Sequence, residues 1–278
     1  MEADMYIEKF KDDYQFRMAP RTIRSYQLAV NQLQEHLNIP FDVITSKDIR
    51  NWLMMLKEKG YKPNSVQGKL IGLKTFYKYC LEEGIIPIDP ARKIPFPKIE
   101  EKLPNYLTPT QLTSLRDCVE GQLLERAVIE ILFATGVRIS ELVDMKKADI
   151  NWSERSILIP EGKWKKGRVV LFSHACGQHL QACLDSRTDS LPDVFINQEA
   201  TARIRQQKIR THFQSYSKHL GCRVTPHTMR HTFAAHLAQK GMPLESIQEL
   251  LGHDHPHTTQ LYARLYNQAR KEMYDKWM

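Results

Sequence analysis

The segment LLGHDHPHTTQLYARL, Leu250 to Leu265, carries His253, His255 and His257 at alternate positions and Tyr262 nine residues after the first. Clustered imidazoles could hold a metal, and a tyrosine among basic groups could act as a nucleophile. Upstream, ATGVRISEL sets Arg138 at a helix start just after a glycine, with Glu141 one turn away on the same face. PHTMRHTFAAHL sets His227 and Arg230 one turn apart on a second helix. Two planar guanidinium forks can bind the non-bridging oxygens of a single phosphodiester. A lysine in the basic turn EGKWKKG could reach the same phosphate, and Tyr262, placed early in a helix introduced by Thr258 and Thr259, could attack it.

Other chemistries fit less well. His227 and His231 have the i, i+4 spacing of a zinc-protease helix, but that motif needs a glutamate where Thr228 stands. His253, His255 and His257 straddle Pro256, which breaks a regular ligand face. No metal is therefore expected. There is no G-x-S-x-G elbow and no phosphate-binding G-x-x-x-x-G-K-[ST] loop. The five cysteines, Cys80, Cys118, Cys176, Cys183 and Cys222, form no C-x-x-C pair. Reduced thiols in a cytoplasm fit them better than a zinc ribbon or a disulfide scaffold.

These residues need elements to position them. The 278 residues are 42% hydrophobic and 26% charged, a globular profile, and no run of about 18 apolar residues suggests a membrane span. The mixed, acidic start MEADMYIEKF is neither a secretory signal nor a transit peptide. A net charge of +8 favours phosphate backbones as partners. Prolines at 87, 90, 95, 97, 104 and 109 mark an extended connector, and the boundary falls near residue 100. Before it the pattern is helical: a first helix around Ala3 to Arg17, then a stripe of Ile23, Tyr26, Val30, Leu33 and Leu37. A capping box at Thr45–Asp48 opens a third helix, and Pro63 opens a fourth with Val66, Leu70, Leu73, Phe76, Tyr77 and Cys80 inward.

After the connector, Thr108 to Gln111 form a capping box with proline at the first helical position. The apolar helix LLERAVIEILFATG then ends at Gly136. SILIP and RVVLF read as a hairpin around EGKWKKG, and DVFIN is a candidate further strand. The remainder, from ARIRQQKIRTHFQSYSKHLG onward, reads as helix. The fold class is thus mainly α with a small antiparallel sheet, in two domains: residues 1–92, a connector at 93–106, and 107–278.

The ordered series ATGVRISEL, GKWKKGR, TPHTMRHTFAAHL, LLGH and TTQLY resembles the catalytic domain of the tyrosine site-specific recombinases, the phage-integrase and Xer family. The resemblance covers about the last 170 residues directly, and the first domain is similar to the family's core-binding, SAM-like domain by length and pattern. It implies that Arg138 and Arg230 clamp the scissile phosphate and that Lys163 protonates the leaving 5′ oxygen, with Lys165 and Lys166 close by. It further implies that His227 assists proton transfer, that His253 bonds the phosphate, and that Glu141 holds the constellation. Tyr262 would be the nucleophile, forming a 3′-phosphotyrosine without metal, ATP or other cofactor. Ala263 and Arg264 stand where Thr-His often follows the tyrosine in this family.

The resemblance also implies double-stranded DNA with inverted-repeat core sites as partner, and a homotetramer in the synaptic complex, monomer or dimer otherwise. Strands would be exchanged in pairs through a Holliday junction, with the two domains clamping the duplex. Arg24, Asn64, Lys69 and Arg168 are the expected DNA contacts. Met273 and Trp277, on the amphipathic tail after Tyr262, are the expected anchors between protomers. The chain starts almost directly with the core-binding pattern, which points to a Xer-like or transposon-borne cointegrate resolvase acting on the bacterial nucleoid. Two other readings compete: a relaxing topoisomerase with the same tyrosine chemistry, which needs no paired sites, and a non-catalytic DNA-binding regulator. The full set of reactive residues argues against the regulator.

Overall fold

The computed structural model describes residues 2–99, 104–160, 167–252 and 260–277. The chain forms two compact units, Met1–Glu100 and Glu101–Met278. The first is built from α1 (Glu2–Tyr14), α2 (Pro20–Leu37), α3 (Ser46–Glu58) and α4 (Pro63–Glu82). Proline opens both α2 and α4, where its missing N–H costs nothing. Thr45 and Asp48 satisfy each other's backbone N–H at the start of α3, as the sequence predicts. Trp52, Leu70, Leu73, Phe76 and Tyr77 are buried in one core. The first helix stops at Tyr14, three residues short of the expected Arg17. The N–H groups of Arg17 and Met18 fold back onto the Tyr14 carbonyl, and Pro20 holds Ala19 extended.

The second unit begins with α5 (Pro109–Asp117), opened by the reciprocal Thr108–Gln111 box, followed by α6 (Leu123–Thr135) and the short α7 (Ile139–Asp144). Next comes an antiparallel sheet of β1 (Ile150–Asn151), β2 (Ser156–Ile159) and β3 (Arg168–Leu171), in that spatial order. Ile157 pairs with Val170 and Ile159 with Arg168, so the alternation buries Ile157, Ile159 and Val170 and exposes Leu158, Val169 and Leu171. The hairpin is the expected one; β1 adds a third strand that was too short to leave a period in the sequence.

Then follow α8 (His174–Asp185), α9 (Gln206–His219), α10 (Pro226–Gln239), α11 (Leu244–Leu251) and α12 (Ala263–Trp277). Two expectations need correction. DVFIN forms no strand, only isolated bridges pairing Asp193 with Lys146 and Ile196 with Arg203. The helix expected from Ala202 starts at Gln206, because the Asn197 carboxamide takes the N–H groups of Thr201 and Ala202 and holds that segment in a turn.

The centre of the unit is α10. Met229, Thr232, Ala234, Ala235 and Ala238 are fully buried, and the small alanines let neighbouring helices approach closely. Thr232 accepts the Leu107 N–H at 2.9 Å and His236 meets the Leu107 carbonyl at 3.1 Å, tying the start of the unit to this helix. Among the described residues, no helix is long and apolar enough to cross a membrane.

Candidate active site

A helix leaves its last carbonyls without intrahelical partners, at the negative end of its dipole. At the end of α11 three guanidiniums take those positions in succession. Arg168 Nε donates to the Leu250 carbonyl at 3.1 Å, Arg230 to Leu251 at 2.7 Å, and Arg138 to Gly252 at 2.9 Å. The three come from β3, α10 and the residue capping α7. Arg230, 4% exposed, also donates to the Gly136 carbonyl at 2.5 Å. Gly252 turns the chain at φ +61, and a β-carbon there would sit 3.0 Å from Arg168 Cδ. Glycine is thus required both by conformation and by the arginine packed on it.

Glu141 lies between two of these cations. Its carboxylate accepts the Arg138 backbone N–H at 2.7 Å and the Arg138 side chain at 2.8 Å. Arg168 adds a bidentate pair at 3.0 and 2.7 Å. Burial opposes ionisation of Glu141, but the hydrogen bonds from Arg168 and Arg138 win and hold its carboxyl at about 2. The Arg230 guanidinium, by contrast, is bonded to carbonyls. Burial, then the Arg138 charge, pull its pKa down to about 9, so it remains charged at neutral pH. Three guanidiniums against one carboxylate leave a surplus of positive charge, which is what a phosphodiester requires.

Tyr262 is 1% exposed, and its hydroxyl lies 2.5 Å from His231 Nδ1. Burial raises its phenol above the usual tyrosine range, and the Arg230 charge works in the opposite sense. Tyr262 sits in the turn directly before α12, correcting the expectation of a place inside the helix. The Tyr266 N–H donates to the Tyr262 carbonyl at 3.1 Å, so the residue caps α12 through its backbone. His227 keeps an exposed edge, and its ring meets that of His231 edge-on, centroids 4.2 Å apart. Partial burial and the charges of Arg230 and Arg138 lower the His227 pKa. Among the described residues, no three His, Cys, Asp or Glu side chains gather as metal ligands.

Residues 105–269 match the Phage integrase family, and residues 6–86 match the N-terminal SAM-like domain of phage integrases. Tyrosine recombinase XerC of Staphylococcus aureus strain USA300 is 31% identical over 286 residues, covering 98% of this chain and 94% of the relative. The chain belongs to the phage integrase family. It is a tyrosine recombinase, an enzyme that breaks and rejoins DNA strands at specific sites; a topoisomerase or a non-catalytic regulator is not favoured. Among solved structures, a crystal structure of XerA recombinase is 28% identical with a TM-score of 0.56, covering 98% of both chains. A Tn1549 transposon integrase bound to transposon right end DNA is 21% identical with a TM-score of 0.79, covering 98% of this chain and 99% of that one. This last likeness concerns the fold.

Within this family member the expected site residues are distributed as follows. Arg138, Glu141, His227, Arg230 and Tyr262 all belong to the second unit, and the first, second and fourth meet at the end of α11. Lys163 and His253 lie outside the described residues, as does the side chain of Trp277. Arg168, an expected DNA contact, sets its guanidinium against Glu141 and the Leu250 carbonyl. Arg24 and Asn64 are exposed on the first unit. Lys69 there is hydrogen-bonded to the Gln32 side chain and rests over the Tyr61 ring. Met273 is half-exposed, while Leu265 and Tyr266 earlier on α12 pack with Phe233, Ile247 and Leu251 of their own chain. His231 is the residue that sequence reasoning missed. Its only signal in the sequence is the i, i+4 spacing with His227, which reads as a metal pair.

Proposed function

We propose that Tyr262 attacks the scissile phosphodiester and forms a 3′-phosphotyrosine, with Arg138 and Arg230 holding the non-bridging oxygens. The observation that carries this reading is the pair of guanidiniums anchored on adjacent carbonyls, Leu251 and Gly252, with the Arg230 charge acting on the buried Tyr262 phenol. Donors fixed before the reaction cost no reorganisation as negative charge builds on the phosphorane-like transition state. Each arginine spends part of its fork on the protein and keeps the rest for a ligand. Glu141 and Arg168 set the orientation of Arg138. Lys163 is the acid for the departing 5′ oxygen, His253 a phosphate donor, and His227 an aid to proton transfer. The covalent bond conserves the phosphodiester's energy, so neither ATP nor a metal is consumed.

Residues 1–92 form the core-binding domain in this reading, 93–106 the connector and 107–278 the catalytic domain. Arg24, Asn64 and Lys69 contact DNA from the first of these. The substrate is a pair of inverted-repeat core sites; four protomers synapse and exchange strands through a Holliday junction. Met273 and Trp277 act between protomers. The relatives' names include Xer tyrosine recombinases and a transposon integrase, which supports resolution or integration of a mobile DNA as the outcome.

The test uses nicked DNA from the region flanking this protein's own gene, incubated with the protein in EDTA. A detergent-resistant protein–DNA adduct is expected with wild type and none with Tyr262→Phe. Loss of the adduct on chelation, or an equal adduct with Tyr262→Phe, would overturn the mechanism.

A further inference from the structure

We propose that His231, in its Nε2-protonated tautomer, accepts the proton of the Tyr262 hydroxyl as that oxygen attacks phosphorus. The inference rests on Tyr262 being the nucleophile. A neutral phenol attacks phosphorus poorly and needs a proton acceptor within hydrogen-bond reach of its oxygen. The group in that place is His231 Nδ1, at 2.5 Å; His227 is one turn away on α10 and contacts the His231 ring edge-on. With the Nε2 tautomer, Nδ1 carries a lone pair, and the tyrosine O–H donates to it.

The electrostatics are consistent with this direction. The charged and titratable groups acting on His231 are His227 and Arg230 on its own helix, with Tyr262 facing it from the turn before α12. Burial first, then His227 and Arg230, lower the His231 pKa to about 4, so the ring is neutral at pH 7 with its Nδ1 lone pair open, a weak base until substrate charge arrives. A bound phosphodiester adds a negative charge that offsets Arg230, raising the ring's proton affinity when the proton must move. As the Tyr262 Oη–P bond forms, the P–O5′ bond breaks, and the hydroxyl proton passes to His231 Nδ1. The O5′ leaving group takes its proton from Lys163. When a 5′ hydroxyl later attacks the phosphotyrosine, its proton passes to the deprotonated Lys163, the Tyr262 Oη–P bond breaks, and His231 returns its proton to the tyrosine oxygen.

His231→Asn is the discriminating variant, because asparagine can place an acceptor oxygen near the Nδ1 position but cannot hold a proton. The substrate is the DNA that forms the adduct described above, with sulfur replacing the leaving 5′ oxygen so that no acid is needed. His231→Asn is expected to cleave it about 10²-fold more slowly at pH 7 with DNA binding unchanged. The deficit should shrink as pH rises from 7 toward 9, since hydroxide then supplies the base. Equal rates for wild type and variant, a deficit independent of pH, or faster cleavage by the variant would each overturn the proposal; the last would mean the contact restrains the nucleophile. A second readout needs no DNA: nitrogen NMR of the full chain should show one Nε2-protonated histidine whose Nδ1 signal moves on Tyr262→Phe and vanishes in His231→Asn. An Nδ1-protonated ring there would also overturn it. If Tyr262→Phe itself still forms the adduct, the nucleophile assignment has failed, whichever result His231 gives.

Discussion

Glu141 carries the electrostatic burden of bringing the guanidiniums of Arg138 and Arg168 together at one helix end. Replacing it with glutamine removes the charge and leaves both cations facing each other. Glu141→Gln is expected to lose about 2 kcal/mol of stability, a value reduced from that of a fully buried pair because Arg138 remains partly exposed. Chemical denaturation at pH 7 checks this. The sign with pH is also determined. A carboxyl held at about 2 when folded, against 4.5 ordinarily, stabilises fully above pH 4.5 and loses that contribution as pH falls towards 2. The gap between wild type and Glu141→Gln should therefore be constant above about pH 5 and close towards pH 2. At this scale the sequence was only partly legible. Arg138 and Glu141 could be paired because three positions make one helical turn. Arg168 could not, since its link to Glu141 spans 27 positions and exists only once β3 folds beside α7 and α11. His231 was visible as a neighbour of Arg230, but which ring nitrogen meets which hydroxyl depends on the turn before α12.

The elements position the site through how they end. Gly136 stops α6 at φ +62, offers its carbonyl to Arg230, and leaves no room for a side chain: a β-carbon would meet Phe233 Cδ1 at 2.4 Å. Gly136→Ala is expected to cost about 1–2 kcal/mol for the left-handed backbone alone, with more from displacing Phe233. It should reduce cleavage as well as stability, because Phe233 belongs to the cluster that packs Tyr262. Melting temperature and adduct yield measured on one preparation test both parts; unchanged values for both would contradict the role given to this turn. Helix ends were the most legible features of the chain. The boxes at Thr45–Asp48 and Thr108–Gln111 and the prolines opening α4 and α5 act over three or four residues and need no distant partner. The DVFIN segment was illegible for the opposite reason: Val194, Phe195 and Ile196 are buried as a strand's residues would be, while its backbone pairs only at single bridges with Lys146 and Arg203.

At the scale of the whole molecule, the +8 net charge is the long-range attraction to DNA, and the second unit supplies the chemistry to which that attraction leads. The two-unit organisation could be read from the proline spacing, because prolines interrupt helix locally and need no distant partner. Leu265, Tyr266 and Ala269 hold α12 to its own chain, so deleting residues from Lys271 onward should leave the fold intact. That truncation should lower cooperative binding to paired sites while a single bound protomer persists, as gel-shift titration would show; unaltered cooperativity would remove Met273 and Trp277 as anchors. The most direct measurement is to digest the protein–DNA adduct and locate the nucleotide by mass spectrometry. A 3′-phosphate joined to Tyr262 is the predicted result. A nucleotide on another residue, or one attached through its 5′ phosphate, would contradict the mechanism.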